Sequence, residues 1–331
     1  MRCLIVSAFV TPDGLGADIK IELEALGHEV KSFAYRRDNP LYKNKGVKEL
    51  YQRWIASSLE RKIAEWRPAL VIVFKGGPIG PDLIRRAKKR SDALFVNLFP
   101  DNPLLMIPFE CIEAYDVFFT KERYALRALE EAGLGNLYYL PMHCSPQVHY
   151  PVTLSPEERE RYASPVSFVG SHYPYRGRFF RELRGYPVKI WGSGWRRAED
   201  PEVRGMAQGQ SVWGRAKLCV YSGSTLSLNH HHPLNDIVGV NIRTFELAGC
   251  GACQVVDLKE ELPSLFTPGE EVIVYREPGE LRRRIDYYLA HPDEAKAIGE
   301  NGLSRALKEH TARHRLQEIL HVVEIRFGKR W

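Results

Sequence analysis

An arginine and a glutamate stand three residues apart at Arg243 and Glu246, within the stretch Asn241–Cys253. This spacing places both side chains on one face of a helix. A helix that begins near Asn241 offers free backbone N–H groups and a positive dipole end, which suit a diphosphate. A carboxylate one turn further can accept both hydroxyls of a ribose. The pair could therefore bind a nucleoside diphosphate, although an ordinary ion pair on a helix has the same spacing.

Two groups of metal-ligand residue types give weaker signals. Cys250 and Cys253 form a CxxC, but no second CxxC follows, so packing is favoured over redox or zinc chemistry. His230, His231 and His232 are adjacent, and neighbouring side chains of an extended segment point to alternate faces. We therefore expect no shared metal ion: one histidine should face a cleft and the others should lie on the surface. No metal site is predicted.

The first half of the chain contributes three candidates for an acceptor side. Gly14 opens a Gly-Leu-Gly turn, but Ile19 stands where GxGxxG has its third glycine, so a dinucleotide site is not favoured. Asp101 follows a predicted strand and is a candidate general base, which only an inverting displacement requires. An Asp-Asn-Pro turn is the alternative. Lys75 precedes two glycines and could touch phosphate or acceptor, or be a solvated loop lysine.

Two series of alternating strands and helices must position these residues. In the first half, the predicted strands are Cys3–Val10, Glu29–Ala34, Leu70–Phe74, Ala93–Phe99, Tyr115–Thr120 and Asn136–Leu140. In the second half, they are Val166–Val169, Val188–Trp191, Cys253–Asp257 and Val272–Tyr275, while Leu218–Tyr221 and Thr225–Asn229 are predicted as short strands or turns. Alternation with short loops predicts parallel sheets covered by helices on both faces.

The pattern predicts an α/β fold with two Rossmann-like domains that face each other across a cleft. Pro141–Pro156 carries four prolines and is interpreted as the linker. The domains are therefore predicted at 1–150 and 151–312, and a C-terminal helix at 313–331 is expected to pack back on the first. Ligands of such folds bind at the carboxyl ends of the strands.

Composition is that of a globular protein, with 44% apolar and 27% charged residues among 331. The net charge of +6 suits polyanionic ligands. Lysines and arginines are spread along both halves, so a nucleic-acid-binding or regulatory module is a less favoured alternative. Six scattered cysteines and the lack of a signal-like or membrane-spanning segment predict a cytoplasmic protein.

Five segments carry a resemblance to a known family. They are SFVGSHYPYRGRFFREL, KIWGSGW, SLNHHHPLNDIVGVNIRTFELAGCGACQVVD, LFTPGEEVIVYREPGELRRRIDYYLAHPDEAKAIGENG and HTARHRLQEIL. In this order they resemble the glycosyltransferase domain of the CgeB-type (spore-maturation) family, a branch of the GT-B glycosyltransferases. The resemblance runs from about Val166 to Arg315, and the FPDNP turn of the first half is similar to one seen in relatives.

The resemblance implies a glycosyltransferase that uses a nucleotide diphosphate sugar and no cofactor or bound metal. It implies that Glu246 binds the ribose hydroxyls and that Arg243 faces the diphosphate. The implied donor-binding residues are Gly170, Ser171, Arg176, Gly192, Asn229, Asn241, Arg243 and Glu246. The predicted catalytic residues are Arg243, from this resemblance, and Asp101, from its place after a predicted strand.

One position departs from the family pattern. Many retaining members carry a second glutamate eight residues before the ribose-binding one, and here that residue is Val238, with Asp236 out of register. Retention or inversion, the sugar, the base, the acceptor and the oligomeric state are therefore left open. A nucleotide-sugar epimerase of the same fold is an alternative. So is contact with a membrane surface through Arg176–Arg184, which would hold a lipid-linked acceptor.

Overall fold

The structure is a computed structural model that describes residues 1–11, 14, 16–36 and 45–329. The chain forms two compact units. The first unit comprises Met1–Pro141, Leu234–Ile237 and Ala312–Trp331. The second unit comprises Met142–Pro233 and Val238–Thr311.

The first unit is built on a six-stranded parallel sheet with the order β2-β1-β3-β4-β5-β6. Its strands are β1 (Arg2–Ser7), β2 (Glu29–Ala34), β3 (Leu70–Phe74), β4 (Leu94–Phe99), β5 (Val117–Thr120) and β6 (Leu137–Tyr139). Its helices are α1 (Ala17–Ala25), α2 (Lys45–Trp66), α3 (Pro81–Arg90), α4 (Phe109–Ala114), α5 (Arg123–Glu131) and α14 (Ala312–Phe327). Every residue of β3, β4 and β5 is buried, as expected for a parallel sheet covered on both faces.

Strand β1 shows how the two faces are filled. Leu4 and Val6 lie in a core cluster with residues of α2 and α3. Ile5 lies in the opposite cluster, which contains Leu316 and Ile319 of α14. The C-terminal helix thus covers one face of the first sheet.

The second unit has a five-stranded parallel sheet with the order β11-β10-β9-β7-β8. Its strands are β7 (Ser164–Val169), β8 (Val188–Trp191), β9 (Ser224–Asn229), β10 (Gln254–Asp257) and β11 (Ile273–Tyr275). Its helices are α6 (Pro156–Tyr162), α7 (Pro174–Arg181), α8 (Pro201–Met206), α9 (Gly214–Ser222), α10 (Ile242–Gly249), α11 (Leu262–Leu265), α12 (Pro278–Ala290) and α13 (Pro292–Glu309).

The prediction of a short strand or turn at Leu218–Tyr221 is wrong, because these residues belong to helix α9. All four are buried, and a short continuous apolar run does not distinguish a strand from a buried helical segment. Two sequence predictions lie partly outside the described residues: the Gly-Leu-Gly turn at Leu15, and the C-terminal segment at residues 330–331.

Two stretches fall in units other than those predicted. Residues 142–150 lie in the second unit, where the backbone N–H of Cys144 donates to the carbonyl oxygen of His310 at 2.9 Å. Residues 234–237 lie in the first unit. The Lys121 ammonium there contacts the Asp236 carboxylate, and the two side chains are only 2% and 3% exposed. The backbone N–H of Ile237 donates to Glu122 at 2.9 Å.

Replacing Lys121 by Met should lower the free energy of unfolding by about 3–5 kcal/mol, because the buried Asp236 carboxylate then loses this cation. The double variant Lys121→Met/Asp236→Leu should recover most of that loss. Urea unfolding measures both, with Lys308→Met as control because that side chain is 77% exposed. A loss below about 1 kcal/mol, the range of surface ion pairs, would contradict this expectation.

Candidate active site

The carboxyl ends of β7 and β8 carry two loops that touch through glycines. Gly192 has φ 153°, and a Cβ there would lie 2.0 Å from the carbonyl oxygen of Gly170. The Ser171 and Ser193 hydroxyls are 3.0 Å apart, and the backbone N–H of His172 donates to the Ser193 carbonyl at 2.8 Å. Only glycine fits at position 192 without displacing the neighbouring loop.

Two large side chains brace this pair of loops. The indole N–H of Trp195 donates to the Gly170 carbonyl at 2.8 Å. The Arg176 guanidinium donates to the Ser171 carbonyl at 2.8 Å and lies 5.2 Å from the Tyr173 ring centroid. Arg176 is largely buried and therefore holds the loop in shape, while its contact with a diphosphate stays a prediction.

Helix α10 begins beside these loops with a polar network. The Asn241 side chain caps the helix by accepting from the Thr244 backbone N–H at 3.2 Å. It also donates to the Asn229 side-chain oxygen at 2.9 Å, and Asn229 donates to the Thr244 hydroxyl at 3.0 Å. Asn229 is fully buried at the end of β9. The network fixes the start of α10 against the carboxyl edge of the second sheet.

Arg243 points from the first turn of α10 toward the β7 loop. Its guanidinium donates to the Asn229 side-chain oxygen at 3.4 Å and lies 5.1 Å from the Phe168 ring centroid. A Cβ on Gly170 would come within 2.9 Å of its terminal nitrogen. The structure thus brings together Gly170, Arg243, Asn229 and Asn241, four of the predicted donor-binding residues.

Glu246, one turn along α10, lies among cationic groups that the sequence did not suggest. The Lys217 ammonium is 3.3 Å from its carboxylate, and the His149 Nε2 is 3.7 Å away. His149 Nδ1 accepts from the Ser145 backbone N–H at 3.1 Å, so the neutral ring carries its proton on the nitrogen nearer Glu246. Burial raises the pKa of Glu246, but Lys217, His149 and Arg243 outweigh it and lower the pKa overall.

The sequence analysis did not identify Lys217 as a neighbour of Glu246, because part of its helix α9 was predicted as a strand or turn. Helical spacing of the residues around Lys217 would have been a usable signal. His149 was not identified because residues 142–150 were assigned to the other domain, and no local sequence pattern marks it.

The histidine run is held by ring stacking and by one carboxylate. The backbone N–H and Nδ1 of His231 lie 2.8 and 2.7 Å from the same Asp257 oxygen. The His230 ring stacks on Phe179 at 4.1 Å, and its burial lowers the pKa of His230 to about 4. His231 is buried, whereas His230 and His232 are partly exposed, and which of the three faces a cleft stays a prediction.

Both cysteines of the CxxC sit in apolar surroundings. Cys250 and Cys253 are buried, and burial raises the pKa of both thiols, that of Cys253 to about 12. Thiols of raised pKa are poor nucleophiles and poor metal ligands at neutral pH. Within the described residues, no cluster of three or more His, Cys, Asp or Glu is arranged to hold a metal ion.

The acceptor-side candidates belong to the first unit, and two of them meet. The Lys75 ammonium contacts the Asp101 carboxylate, which also accepts from the Asn235 side-chain amide at 3.0 Å. Lys75 has φ 63°, a left-handed conformation that non-glycine residues adopt rarely and that occurs more often at functional sites. Gly14 lies in a turn, where its N–H donates to the Thr11 carbonyl at 3.0 Å.

No acid stands in the place of the missing glutamate. The Val238 carbonyl accepts from the Glu261 backbone N–H at 3.0 Å, and Asp236 is engaged by Lys121. The carboxylate nearest in sequence to position 238 is therefore held in a buried ion pair of the first unit.

Comparisons with known proteins fit this architecture. Residues 176–321 match the model of the family described as glycosyl transferase-like. The chain is 24% identical to the spore protein CgeB of Bacillus subtilis over 257 residues, which are 72% of this chain and 78% of that protein.

Solved structures show the same fold across the chain. The sucrose-phosphate synthase of Thermosynechococcus elongatus has a TM-score of 0.70 at 13% identity, covering 99% of both chains. A glycosyltransferase of Rickettsia africae has a TM-score of 0.68 at 14% identity, again covering 99% of both. Anabaena HepE, solved with UDP-glucose, has a TM-score of 0.65 at 13% identity over 98% of this chain and 100% of that one.

These likenesses confirm the predicted fold class, which is GT-B with two Rossmann-like domains. The family match and the CgeB relationship confirm that the chain is a glycosyltransferase and resembles the CgeB-type family. Among helices of the described residues, none has the length and apolar character needed to cross a bilayer.

Substituting Gly192 by Ala tests the contact between the two loops. The variant should lose roughly 1–3 kcal/mol of unfolding free energy beyond the loss in Gly185→Ala, because its Cβ collides with the Gly170 carbonyl. Gly185 is the matched control: its φ is 82°, but a Cβ there meets nothing within 4 Å. Chemical denaturation compares the two, and equal losses would show that the backbone conformation alone matters.

Removing Lys217 should move the acid sensitivity of the fold to higher pH. A lowered folded-state pKa means that Glu246 stabilises the fold above its unfolded-state pKa of about 4.5, and the stabilisation disappears as the pH falls through the folded value. In Lys217→Met, fewer cations oppose the effect of burial, so the pKa of Glu246 should rise. The fold should then begin to lose stability at a pH nearer neutrality.

Thermal melting between about pH 3 and pH 7, a range that spans the carboxylate pKa values, measures this effect. The control is Lys189→Met, since Lys189 donates to the Ala163 backbone carbonyl at 2.8 Å. Parallel pH profiles of the two variants would contradict the assigned role of Lys217.

Proposed function

We propose that the enzyme transfers a sugar from a nucleotide diphosphate sugar to a hydroxyl acceptor without a bound metal ion. The observation that carries this proposal is the start of α10, where Arg243 lies beside Gly170 and Glu246 follows one turn later. All these groups belong to the second unit and stand at the carboxyl edge of its sheet, where parallel α/β folds bind ligands.

The diphosphate would bind between the β7 loop and the first turn of α10. Because Gly170 carries no side chain, the Arg243 guanidinium lies directly against the β7 loop and supplies a fixed positive charge there. The free N–H groups of the first helical turn add a positive dipole end. Cationic side chains and helix ends can offset the charge that develops on a leaving diphosphate, which is the support for metal-independent transfer.

Glu246 would accept the two ribose hydroxyls. Its lowered pKa keeps the carboxylate ionised at neutral pH, and an ionised carboxylate is an acceptor only, as two hydroxyl donors require. Lys217 and His149 would position it. HepE was solved with UDP and with UDP-glucose, which makes a uridine nucleotide the first donor to test.

Asp101 is the proposed general base if the transfer inverts. Its pairing with Lys75 and Asn235 fixes the orientation of the carboxylate, and Lys75 could also bind an anionic part of the acceptor. The acceptor itself is a hydroxyl of a cell-surface glycan, a protein or a small molecule.

An epimerase is less well supported, because such a reaction needs acid and base groups around the sugar. Val238 offers none, while Asp257 is bound to His231 and Asp236 to Lys121. No arrangement in the described residues favours a nucleic-acid-binding role over sugar transfer.

Calorimetry with UDP, GDP, TDP and CMP, each with Mg²⁺ or with EDTA, tests the donor site. One nucleoside diphosphate should bind equally well in both conditions. Glu246→Gln should weaken that binding about 10- to 100-fold, since hydrogen bonds to a charged group are lost. Glu300→Gln is the control, because its side chain is 64% exposed on α13.

A ligand lacking the ribose hydroxyls sharpens the assignment. The 2′,3′-dideoxy form of the bound nucleotide should bind the native enzyme weakly, and Glu246→Gln should weaken it no further. Slow release of the nucleotide from its glucose conjugate would report transfer to water. If no nucleotide binds, the proposed donor site is wrong. If a nucleotide binds only with Mg²⁺, transfer without a metal ion is contradicted.

A further inference from the structure

The amino-terminal edge of the first sheet contains a cavity of about 580 Å³. Its wall is formed by the first residue of β1, by residues that precede β3 and β4, and by one that follows α14, including Arg2, Arg67 and Lys329. Lys75 and Asp101 follow β3 and β4, so they stand at the other end of those strands, roughly 17–20 Å away for strands of five or six residues. The cavity therefore lies apart from the proposed acceptor residues of the first unit, and the proposed donor residues belong to the second unit.

Six cationic side chains and one carboxylate line the cavity. The cations are Arg2, Arg67, Lys88, Lys89, Arg90 and Lys329, and the acid is Asp92. Lys88 is already paired with Asp116 at 2.7 Å, and Arg90 lies 3.7 Å from Glu60. Arg2, Arg67 and Lys89 form no ion pair with any described residue. The cavity thus carries an uncompensated positive charge.

The negative dipole ends of the neighbouring helices account for only some of the cations that line the cavity. Lys88, Lys89 and Arg90 stand in the last turn of α3, where cations stabilise a helix by opposing its dipole. Arg2 and Lys329 come from other segments. The ends of α2 and α3 together supply roughly one elementary negative charge, which is less than the cations bring.

Arg67 brings a positive charge to the cavity from a backbone position that disfavours arginine. It follows the last residue of α2 and has φ 48°, the left-handed conformation that glycine usually fills after a helix. An arginine is strained there, yet its side chain lines the cavity. Packing does not account for an arginine at this position, because the Arg67 side chain is exposed.

We propose that this cavity binds a phosphate-bearing ligand. Guanidinium and ammonium groups are the usual partners of phosphate, and guanidinium binds it in a bidentate manner. A volume of about 580 Å³ lies within the range of small-molecule sites and far exceeds one phosphate ion. The ligand therefore carries several phosphates, or one phosphate on a larger body such as a soluble metabolite or a lipid headgroup.

Titration of the full chain with inorganic pyrophosphate, followed by calorimetry, tests the proposal. Arg2→Gln/Lys89→Gln should weaken binding at least about tenfold, because two charged donors are removed. Arg283→Gln/Lys296→Gln is the matched control, with the same charge change at side chains 71% and 75% exposed on α12 and α13. Thermal melting should show all variants folded, since every substituted side chain is exposed.

A second arm distinguishes the source of the phosphate. The protein is co-sedimented with phosphatidylcholine vesicles, with and without phosphatidylglycerol. A lipid headgroup is indicated if the native protein binds the vesicles that contain phosphatidylglycerol and Arg2→Gln/Lys89→Gln does not. Pyrophosphate binding without vesicle binding reports a soluble ligand. Arg243→Gln should leave both kinds of binding at the cavity intact.

Three results would overturn the proposal. One is that Arg2→Gln/Lys89→Gln binds pyrophosphate as strongly as the native protein, or that Arg243→Gln alone abolishes pyrophosphate binding. The second is vesicle binding that is equal in the cavity variant and the native protein. The third is the absence of binding in both arms.

Discussion

The approach of Gly192 to Gly170 determines the shape of the carboxyl edge of the second sheet. With a Cβ position only 2.0 Å from a neighbouring carbonyl, the loops after β7 and β8 can meet only because one of them lacks a side chain there. Trp195 and Arg176 then bond to the same loop backbone. The result is a rigid surface with no side chain at Gly170, and Arg243 can lie directly against it. Rigid placement of charge is what stabilisation of a developing anion requires.

Next to that surface, hydrogen bonds among Asn229, Asn241 and Thr244 fix the start of α10. Asn229 is buried, and its amide bonds to the cap of α10, so the start of the helix is tied to the end of β9. The Glu246 carboxylate is the acidic counterpart of this arrangement. Burial disfavours its charge, and Lys217 is the first among the cations that restore it. Its ionisation thus depends on a lysine from α9, far away in sequence.

Periodicity and loop residues predicted most of the fold, since β3 and β8 have the predicted bounds and β10 begins one residue later than predicted. Local patterns carry that information because strands and helices differ in the spacing of apolar residues. The segment from Leu218 to Tyr221 shows the limit: a fully buried run has no polar face to reveal its period. The meeting of Lys217 or His149 with Glu246, and of Lys75 with Asp101, depends on tertiary packing, which no spacing in the sequence encodes.

The first unit draws its last helix from the far end of the chain, and this fixes an order of events during synthesis. Ile5 and Ile72 share a cluster with Leu316 and Ile319 of α14. A ribosome adds about 5–20 residues per second, so the stretch from Met142 to Thr311 takes roughly ten to thirty seconds to make. During that interval one face of the first sheet lacks its covering helix, while the second unit is being completed. The half that leaves the ribosome first is therefore the last to close its core, and part of one apolar face of its sheet stays uncovered until α14 is made.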